Sequence, residues 1–480
     1  MRFPHLPGGW LAPLASGALV AVACVGPEPV APGQPGATLS TYDISSNSTA
    51  PSRHLVTLAG TEASDFEPSV QAMGGRVERR HPEIGVVLVD GLSASAAQAL
   101  AARADVASVD ADITLQWIPQ PELVAQQVAD DNPQAVAPQG TDQSGAQFFT
   151  SQWNLNVIQA PAAWHATAAG HGRLVCILDT GVDPDHIELA GRIALGKSTS
   201  FVASEPTIQD FNFHGTFVSS LVSTNGIRIA SVASDAPLCA IKVLGTNGSG
   251  SFGAVIDGIL FAANEGADVV NMSFGAYVDL NQPGVPQLVR ALQKAVNYAT
   301  RKGVVLVAAA GNAAINLDED PRSMRQIPAQ LENVISVGAT APFNQQNFDM
   351  LASYSNFGGR TGIALVAPGG DLLAGGNVFD LVLGACSHTQ VTLPFSCSKR
   401  GLVLGAGTSF ASPHVAGAAA VVGSQFGDRT RPGRITECIL EGADKVGPSR
   451  IFGGGRLNVS RAAACDEGER EGGRSVVAER

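Results

Sequence analysis

The sequence predicts an α/β protein built on a doubly wound, mostly parallel sheet with helices on both faces. Two observations lead to this fold class. Continuous apolar runs of strand length, Leu174–Leu178 and Val304–Ala310, each lead into an acid or a glycine, which is typical of buried parallel strands. Runs of small apolar residues such as Val415–Val422 have the pattern of buried helices. Because open α/β sheets place functional groups at the carboxyl ends of strands, polar residues there are the candidates for a site.

The composition allows a large core and argues against a nucleic-acid partner. The 480 residues are enough for two or three segments, and 45% of them are hydrophobic. The formal net charge of −12 argues against the basic groove that nucleic acid requires. Only 15% of the residues are charged, which does not suggest disorder across the folded regions.

Residues 1–24 have the pattern of a secretion signal. Arg2 precedes an apolar stretch, Trp10–Ala23, that is too short to cross a membrane comfortably. Its Ala-Val-Ala ending fits an ordinary signal peptidase, and small residues before Cys24 also resemble a bacterial lipoprotein signal in which that cysteine is acylated. Both interpretations stay open, so the protein is expected to be secreted or anchored to a bacterial membrane by lipid. Residues 25–52, rich in Pro, Gly, Ser and Thr, suit a flexible tether.

Residues 53–117 carry a β-α-β-β-α-β pattern and predict a small ferredoxin-like α+β domain. Its predicted strands are His54–Leu58, Val77–Arg79, Val86–Val89 and Val106–Ala111, and its predicted helices are Phe66–Met73 and Ala94–Ala102. Residues 118–150, rich in Gln, Pro, Asp and Ala, predict an exposed linker before a large domain at 151–465. A polar tail follows at 466–480.

Three short motifs supply the groups of a nucleophilic active site. In chain order they are Asp179-Thr-Gly, at the end of an apolar run, then His214-Gly-Thr and Gly407-Thr-Ser409, which both open apolar helical patterns. A serine hydroxyl becomes a nucleophile when a base takes its proton. A neutral imidazole does this near pH 7, and a carboxylate behind the imidazole fixes its tautomer. Each motif alone is weak, since a serine or an aspartate at such a position is usually a helix or turn cap.

Together and in this order, the three motifs closely resemble the subtilisin family of serine proteases, over about Trp153 to Ala464. The resemblance implies that Ser409 is the nucleophile, His214 the general base and Asp179 the acid that orients the base. A further strand ends in Gly-Asn at Asn312, which matches the family's oxyanion residue. In the family this side-chain amide works with the backbone N–H of the nucleophile.

Two loops resemble the walls of the family's substrate groove. Gly248-Ser249-Gly250 matches the edge that pairs with an extended peptide through main-chain hydrogen bonds, and Ser273-Phe274-Gly275 matches the opposite wall. The first loop also satisfies the dinucleotide-binding pattern G-x-G-x-x-G, which is weak evidence when it stands alone.

The small N-terminal domain resembles the inhibitor-type propeptide of subtilisins, which assists folding and inhibits the enzyme until it is removed. Its last segment, Asp112–Trp117, is predicted to lie in the groove beside Gly248–Gly253 like a substrate. Maturation cleavage is expected within 118–150, and the mature enzyme is expected to be a monomer. The alternative is an unrelated ferredoxin-like binding domain, because a fold does not determine a function.

Some positions depart from the family pattern. Phe217 and Phe410 stand where a histidine and a methionine are common, both at packing positions. Glu188 stands at the position of a calcium-binding aspartate, and the loop Ser223–Arg228 is shorter than usual. Structural calcium therefore stays open, and no cofactor is expected for the chemistry itself.

Six cysteines remain once Cys24 is set aside, and export permits disulfides. Cys176 and Cys239 lie on apolar strands and are expected to be buried free thiols. The candidate disulfide pairs are Cys386 with Cys397 and Cys438 with Cys465.

These observations predict an exported serine endopeptidase made as a self-inhibited precursor, with protein or peptide substrates. The rival is a catalytically idle surface protein that binds peptides in the groove, but binding alone would not require the triad and Asn312 together. The sequence contains neither G-x-S-x-G nor H-E-x-x-H, which argues against an α/β-hydrolase and a zinc hydrolase.

Overall fold

The computed structural model describes residues 52–119, 123–128, 136–138, 140–319, 323–427 and 431–465. The predicted signal, all but the last residue of the predicted tether, the acylation candidate Cys24 and the predicted tail lie outside these residues. In the described part of the chain, no helix is both long and apolar enough to cross a membrane.

The N-terminal unit packs two helices against a four-stranded antiparallel sheet. Its elements are β1 (Ser52–Leu58), α1 (Phe66–Ala72), β2 (Arg76–His81), β3 (Val86–Leu92), α2 (Ala94–Ala101) and β4 (Val106–Ala111). The strand order is β2-β3-β1-β4. Val56 and Val89 on the sheet share an apolar cluster with Phe66, Val70 and Leu100 on the helices. This is the β-α-β-β-α-β arrangement that the sequence predicts.

Two short strands, at 114–116 and 123–128, follow the N-terminal unit and precede a larger unit. The strands are β5 (Thr114–Gln116), β6 (Leu123–Val128), β7 (Val175–Asp179), β8 (Thr199–Ser200), β9 (Leu238–Lys242), β10 (Ser249–Ser251), β11 (Val269–Met272), β12 (Ala276–Asp279), β13 (Val305–Ala309), β14 (Met324–Ile327), β15 (Val334–Phe343), β16 (Gln346–Leu351), β17 (Leu365–Pro368), β18 (Val382–Ala385) and β19 (Leu402–Ala406). The helices are α3 (Trp153–Val157), α4 (Ala160–Ala166), α5 (His214–Val222), α6 (Phe252–Asn264), α7 (Val285–Arg301), α8 (Thr408–Gly423), α9 (Pro432–Gly442), α10 (Ser449–Phe452) and α11 (Val459–Ala463).

The main sheet has the order β16-β15-β13-β11-β7-β9-β8, with β17 also beside β15. Neighbouring strands are parallel except β15 with β16. The central strand β7 is buried on both faces. Val175 and Ile177 belong to the core that includes α5 and α8, while Cys176 and Leu178 belong to the core that includes α6 and α7. The predicted doubly wound fold class is therefore confirmed, and Asp179 lies at the carboxyl end of its central strand.

Three disulfides join the six described cysteines. Both predicted pairs are present, Cys386 with Cys397 and Cys438 with Cys465. The expectation of free thiols at Cys176 and Cys239 is wrong, because these residues form a disulfide with their Cα atoms 4.5 Å apart. The parallel register of β7 and β9 places the two cysteines directly beside each other. This register could not be predicted from the sequence of either strand alone.

The predicted linker at 118–150 is not an exposed connection throughout. Within it, β6 extends the β18–β19 hairpin into a three-stranded sheet. Gln143 is buried, donates its amide to the Thr224 carbonyl at 2.6 Å and accepts from the Ser231 backbone at 2.8 Å. The polar composition predicted exposure, but a polar side chain here satisfies buried backbone groups instead.

Candidate active site

The candidate base and acid meet at the end of β7. Asp179 is the last residue of that strand and His214 the first residue of α5, and both side chains are fully buried. The ring N–H at Nδ1 of His214 donates to Oδ1 of Asp179 at 2.7 Å, and the Thr180 backbone donates to the same oxygen at 2.7 Å. With Nδ1 holding the proton, the neutral ring has its lone pair on Nε2, where a base needs it.

The loop before His214 is held by one buried carboxylate that the sequence interpretation missed. Phe213 has φ of +110°, a conformation rare for a residue with a side chain, so outside contacts must maintain it. Asp210 supplies them: Oδ1 accepts from the Phe213 backbone at 3.1 Å and from the Thr180 hydroxyl at 2.9 Å. Its Oδ2 accepts from the Thr216 backbone and hydroxyl at 2.9 and 2.6 Å. The carboxylate therefore ties the β7 end to the start of α5.

The loop closed by the Cys386–Cys397 disulfide braces the same segment from the other side. The hydroxyls of Ser387 and Thr389 both donate to the Asp210 carbonyl, at 2.6 and 2.9 Å. The Val391 backbone donates to the Phe211 carbonyl at 2.9 Å. This loop also joins β18 to β19, the strand that leads into Gly407-Thr-Ser409, so one loop contacts the segments that carry both the candidate base and the candidate nucleophile.

Ser409 lies in the first turn of α8 and is almost completely buried. The Ser273 hydroxyl donates to the Ser409 carbonyl at 2.7 Å and lies 2.9 Å from the Ser412 hydroxyl. The side-chain amide of Asn271 donates to the Ser273 hydroxyl at 2.8 Å. The side chain of Ser273 thus contacts the helix of the candidate nucleophile, a contact that its sequence motif did not indicate.

The two departures from the family pattern pack against each other beneath the candidate base. The rings of Phe217 and Phe410 are stacked with centroids 4.1 Å apart, and the His214 ring lies 5.7 Å from that of Phe410. All three side chains are buried. The aromatic pair therefore forms an apolar surface beside the imidazole.

Asn312 is oriented by the residue before the candidate nucleophile. Its Oδ1 accepts from the Thr408 backbone at 2.9 Å and from the Thr408 hydroxyl at 2.7 Å, which leaves Nδ2 as the free end of the amide plane. A Cβ built on Gly407 would lie 3.5 Å from that Nδ2 and 3.7 Å from the backbone nitrogen of Ser409. Two N–H donors thus border the same space at the N-terminus of α8, where the helix dipole favours negative charge.

The predicted groove walls hold the chain's own segment. β5 pairs antiparallel with β10, with Leu115 opposite Gly250 and Gln116 opposite Ser249. The Trp117 backbone donates to the Gly248 carbonyl at 3.1 Å. On the other wall, the Gly275 backbone donates to the Trp117 carbonyl at 3.0 Å. The segment from Asp112 to Trp117 therefore has the main-chain pairing expected of a bound peptide.

The side chain of Trp117 fills a closed pocket between the two walls. It is fully buried, with Phe252 and Phe274 each packed edge-on at 5.5 Å between ring centroids. Its indole N–H donates to the Gly250 carbonyl at 2.8 Å. Phe274, one of the predicted substrate-binding residues, forms one wall of this aromatic pocket.

Comparison with known proteins decides the family. The model of the Subtilase family matches residues 170–455, more than half of the chain. This chain is a subtilase. It belongs to a family of serine endopeptidases, and the matched range contains all four candidate catalytic residues, Asp179, His214, Asn312 and Ser409.

The relatives of this subtilase are similar to it over about two thirds of the chain. It is 35% identical over 319 residues to thermitase of Thermoactinomyces vulgaris, a match that covers 66% of this chain and 96% of thermitase. It is 34% identical over 300 residues to a thermophilic serine proteinase of Bacillus sp. (strain AK1), covering 62% of this chain but only 63% of that relative. The solved structure of the epidermin leader peptide processing serine protease of Staphylococcus aureus superposes with a TM-score of 0.69 at 23% identity. That superposition covers 88% of this chain and 99% of the solved one, which supports the fold.

Charged side chains fasten the N-terminal unit of the subtilase to α6. Asp257, buried on α6, accepts from His81 Nε2 at 2.6 Å and lies 3.0 Å from Arg79 Nε. From the other side, Asp112 accepts from the Gly253 backbone in the first turn of α6 at 2.8 Å and from Arg53 at 2.6 Å. Burial raises the pKa of Asp112, against the opposing effect of Arg53. A carboxylate of one unit thus interacts with the helix N-terminus of the other.

The surroundings of Glu188 do not fit a calcium ion. Its Oε2 accepts from the Ile227 backbone at 3.1 Å, and its Oε1 accepts from the backbones of Arg228 and Ile229. Burial raises the pKa of Glu188, and these N–H groups oppose the rise. N–H donors of residues 227–229 therefore take the place that oxygen ligands would need. Among the described residues, no group of three or more His, Cys, Asp or Glu side chains could hold a metal.

Proposed function

We propose that this subtilase is an exported serine endopeptidase that is made as a self-inhibited precursor and cuts its own chain to mature. The observation that carries the proposal is the combination of the buried Asp179–His214 pair with a peptide segment already seated in the groove. A protein that only binds peptides has no need for a buried, tautomer-fixing carboxylate behind a histidine.

In the proposed mechanism, His214 takes the proton of Ser409 at Nε2 as the serine oxygen attacks the carbonyl carbon of the scissile peptide. Asp179 keeps the proton on Nδ1 and stabilises the imidazolium that forms. The charged oxygen of the tetrahedral intermediate accepts from Nδ2 of Asn312 and the backbone N–H of Ser409. The C–N bond then breaks, and His214 returns the proton to the leaving amine. Water hydrolyses the acyl-enzyme by the same steps in reverse.

The path of the chain through the groove supports self-processing. Upstream, Leu115 and Gln116 pair with β10. Downstream, Leu123 lies opposite Ala406, three residues before Ser409. Because these two contacts flank the start of α8, we propose that the scissile bond lies between Trp117 and Leu123, within the expected range of 118–150. Before the cut, the N-terminal unit is joined to the large unit and is held at the groove at high local concentration, which suits an intramolecular inhibitor.

We propose export from the signal pattern of the sequence and from the disulfides. The signal pattern at 1–24 and the disulfides both suit an oxidising compartment outside the cytoplasm. If Cys24 is acylated, the protein should sediment with membranes, and Cys24→Ala should release it. Fully soluble wild-type protein would leave only the ordinary signal peptide.

The chemistry is tested by three variants and a fluorophosphonate probe, which reacts only with an activated serine. Ser409→Ala should abolish both labelling and peptide hydrolysis. Asn312→Ala should lower kcat by about two to three orders of magnitude, the loss that follows when a subtilisin-type enzyme loses its oxyanion amide, with little change in KM. Asn281→Ala, at an exposed asparagine, is the matched control and should be neutral. Wild-type protein that is folded and mature but unlabelled would instead favour a peptide-binding function.

Maturation is tested by the length of the precursor. Wild-type protein should lose its N-terminal unit, and the new N-terminus should lie between Ile118 and Leu123. Ser409→Ala protein should stay joined across this interval. If Ser409→Ala is cut at the same place and rate in a protease-free system, self-processing is wrong.

A further inference from the structure

The strand that leads into the nucleophile carries a second segment of this chain, in addition to the one that β5 forms in the groove. β6 pairs antiparallel with β19, from Leu123 opposite Ala406 to Val128 opposite Leu402. The resulting sheet has the order β18-β19-β6, so β6 occupies the edge of β19 that the hairpin itself leaves open. Six residues of β6 thus lie along all five residues of β19.

The direction of the chain identifies this edge as the leaving-group side of the groove. β5 precedes β6 in the chain; β5 pairs with β10 in the groove, and β6 pairs with the strand that leads into Ser409. A substrate bound like β5 upstream of its scissile bond would therefore reach β19 with the residues downstream of that bond. The antiparallel pairing continues away from Ser409 along the whole length of β19.

Both faces of β19 offer apolar contacts to the bound segment. The pairing shifts by one residue between Leu404 and Gly405, so that a bulge separates the two ends of β6. Val128 packs against the apolar cluster that contains Leu402 and Leu404. Val124 packs against the main core, to which Val403 belongs. The bulge thus turns Val124 and Val128 toward opposite faces of β19.

A cut between Ile118 and Leu123 makes β6 the free N-terminal strand of the mature enzyme. When β6 leaves β19, that strand is an open edge with unpaired backbone groups beside buried apolar clusters. Such an edge is a ready template for an added strand, because main-chain hydrogen bonds bind any extended peptide and side-chain contacts select among sequences. The edge of β19 therefore suits an extended polypeptide. In this structure β6 of the same chain binds there as a strand.

We propose that β19 is an extended substrate-binding edge that takes about six residues downstream of the scissile bond, in strand conformation, with apolar side chains favoured at the positions of Val124 and Val128. The proposal rests on the proposed function of Ser409. It assigns the enzyme to long, unfolded segments of protein substrates rather than to short peptides, because a short leaving group cannot reach the far end of β19.

The experiment compares fluorogenic peptides cut by the mature enzyme. All share one upstream half copied from Asp112–Ile118. The long peptide continues through Val128, and the short one ends two residues after the mapped cleavage site. The long peptide should have a kcat/KM at least about tenfold higher, mainly through a lower KM, since the added contacts are binding contacts. Replacing Val128 of the long peptide by Asp should remove most of the gain, whereas the neighbouring Gln127→Asp is the matched charge control and should keep it.

Each outcome decides one question. Equal kcat/KM for the long and short peptides, or equal losses from the two Asp substitutions, would overturn the binding role of β19. If neither peptide is cut and the fluorophosphonate probe leaves the enzyme unlabelled, the proposed function itself has failed. Cleavage of both peptides at equal rates with normal labelling overturns only the inference about β19.

Discussion

Trp117 is the side chain through which the N-terminal unit should hold the groove closed, and Trp117→Ala is the sharpest test of that role. The indole is fully buried, touches Phe252 and Phe274 edge-on at 5.5 Å, and donates to the Gly250 carbonyl at 2.8 Å. Buried tryptophans of this kind carry a large share of the binding free energy at interfaces.

The expected magnitude follows from these contacts. Truncating a buried aromatic side chain to alanine costs about 3–5 kcal/mol, with the lost hydrogen bond included. Part of the groove stays open to solvent in the free enzyme, so we take the lower value of about 3 kcal/mol. At about 1.4 kcal/mol for each factor of ten, the inhibition constant should rise about 100-fold. Trp117→Phe keeps a ring in the pocket but loses the N–H donor, so about tenfold is expected.

The assay titrates mature enzyme with a purified fragment, residues 52–119, and measures the inhibition constant for wild-type, Trp117→Phe and Trp117→Ala fragments. Circular dichroism must show that all three fragments have the same secondary structure, so that weak inhibition is not mistaken for unfolding. The expected order of inhibition is wild type, then Phe, then Ala. If the alanine fragment inhibits within about twofold of wild type, the pocket contributes little to docking and the reasoning is wrong.

Three further predictions concern the catalytic machinery and its support. Asp179→Asn should lower kcat by about 10⁴ with a small change in KM, as in other Asp–His–Ser enzymes, and a loss below tenfold in steady-state kinetics would contradict the assigned role. Burial lowers the pKa of His414 to about 4 from 6.5, so the unfolded state binds more protons in this window and stability should fall by about 3 kcal/mol as pH drops from 6.5 to 4. Urea unfolding of Ser409→Ala protein measures this fall, and His414→Gln should reduce it without removing it, because burial also lowers the pKa of His186 to about 4. Thr389→Val removes one donor to the loop before His214 and should lower kcat about fivefold, a loss of about 1 kcal/mol, whereas the exposed Ser396→Ala of the same loop should not.

Much of the fold could be predicted because its strands and helices are encoded locally. The apolar run that ends at Asp179 is a central strand because it has no polar side to expose, and the small residues of α8 mark a helix buried on every side. The candidate residues Asp179, His214 and Ser409 sit at element ends, where a short motif and the element boundary coincide. Such residues can therefore be identified without knowing which helices and strands are neighbours in the fold.

What the tertiary structure alone decided are the contacts between segments far apart in sequence. The Cys176–Cys239 disulfide depends on the register of two strands 63 residues apart, which neither strand encodes by itself. In the sequence, Asp210 has no feature that distinguishes it from other acidic loop residues. Its role depends on its hydrogen-bond partners at the end of β7 and in α5. The pairing of β6 with β19 was hidden by a polar, proline-rich composition, because main-chain hydrogen bonds are available to almost any sequence. Local sequence patterns determine helices and strands, because these patterns reflect which side chains are buried. Strand register and hydrogen-bond partners depend instead on how distant segments are arranged in the folded chain.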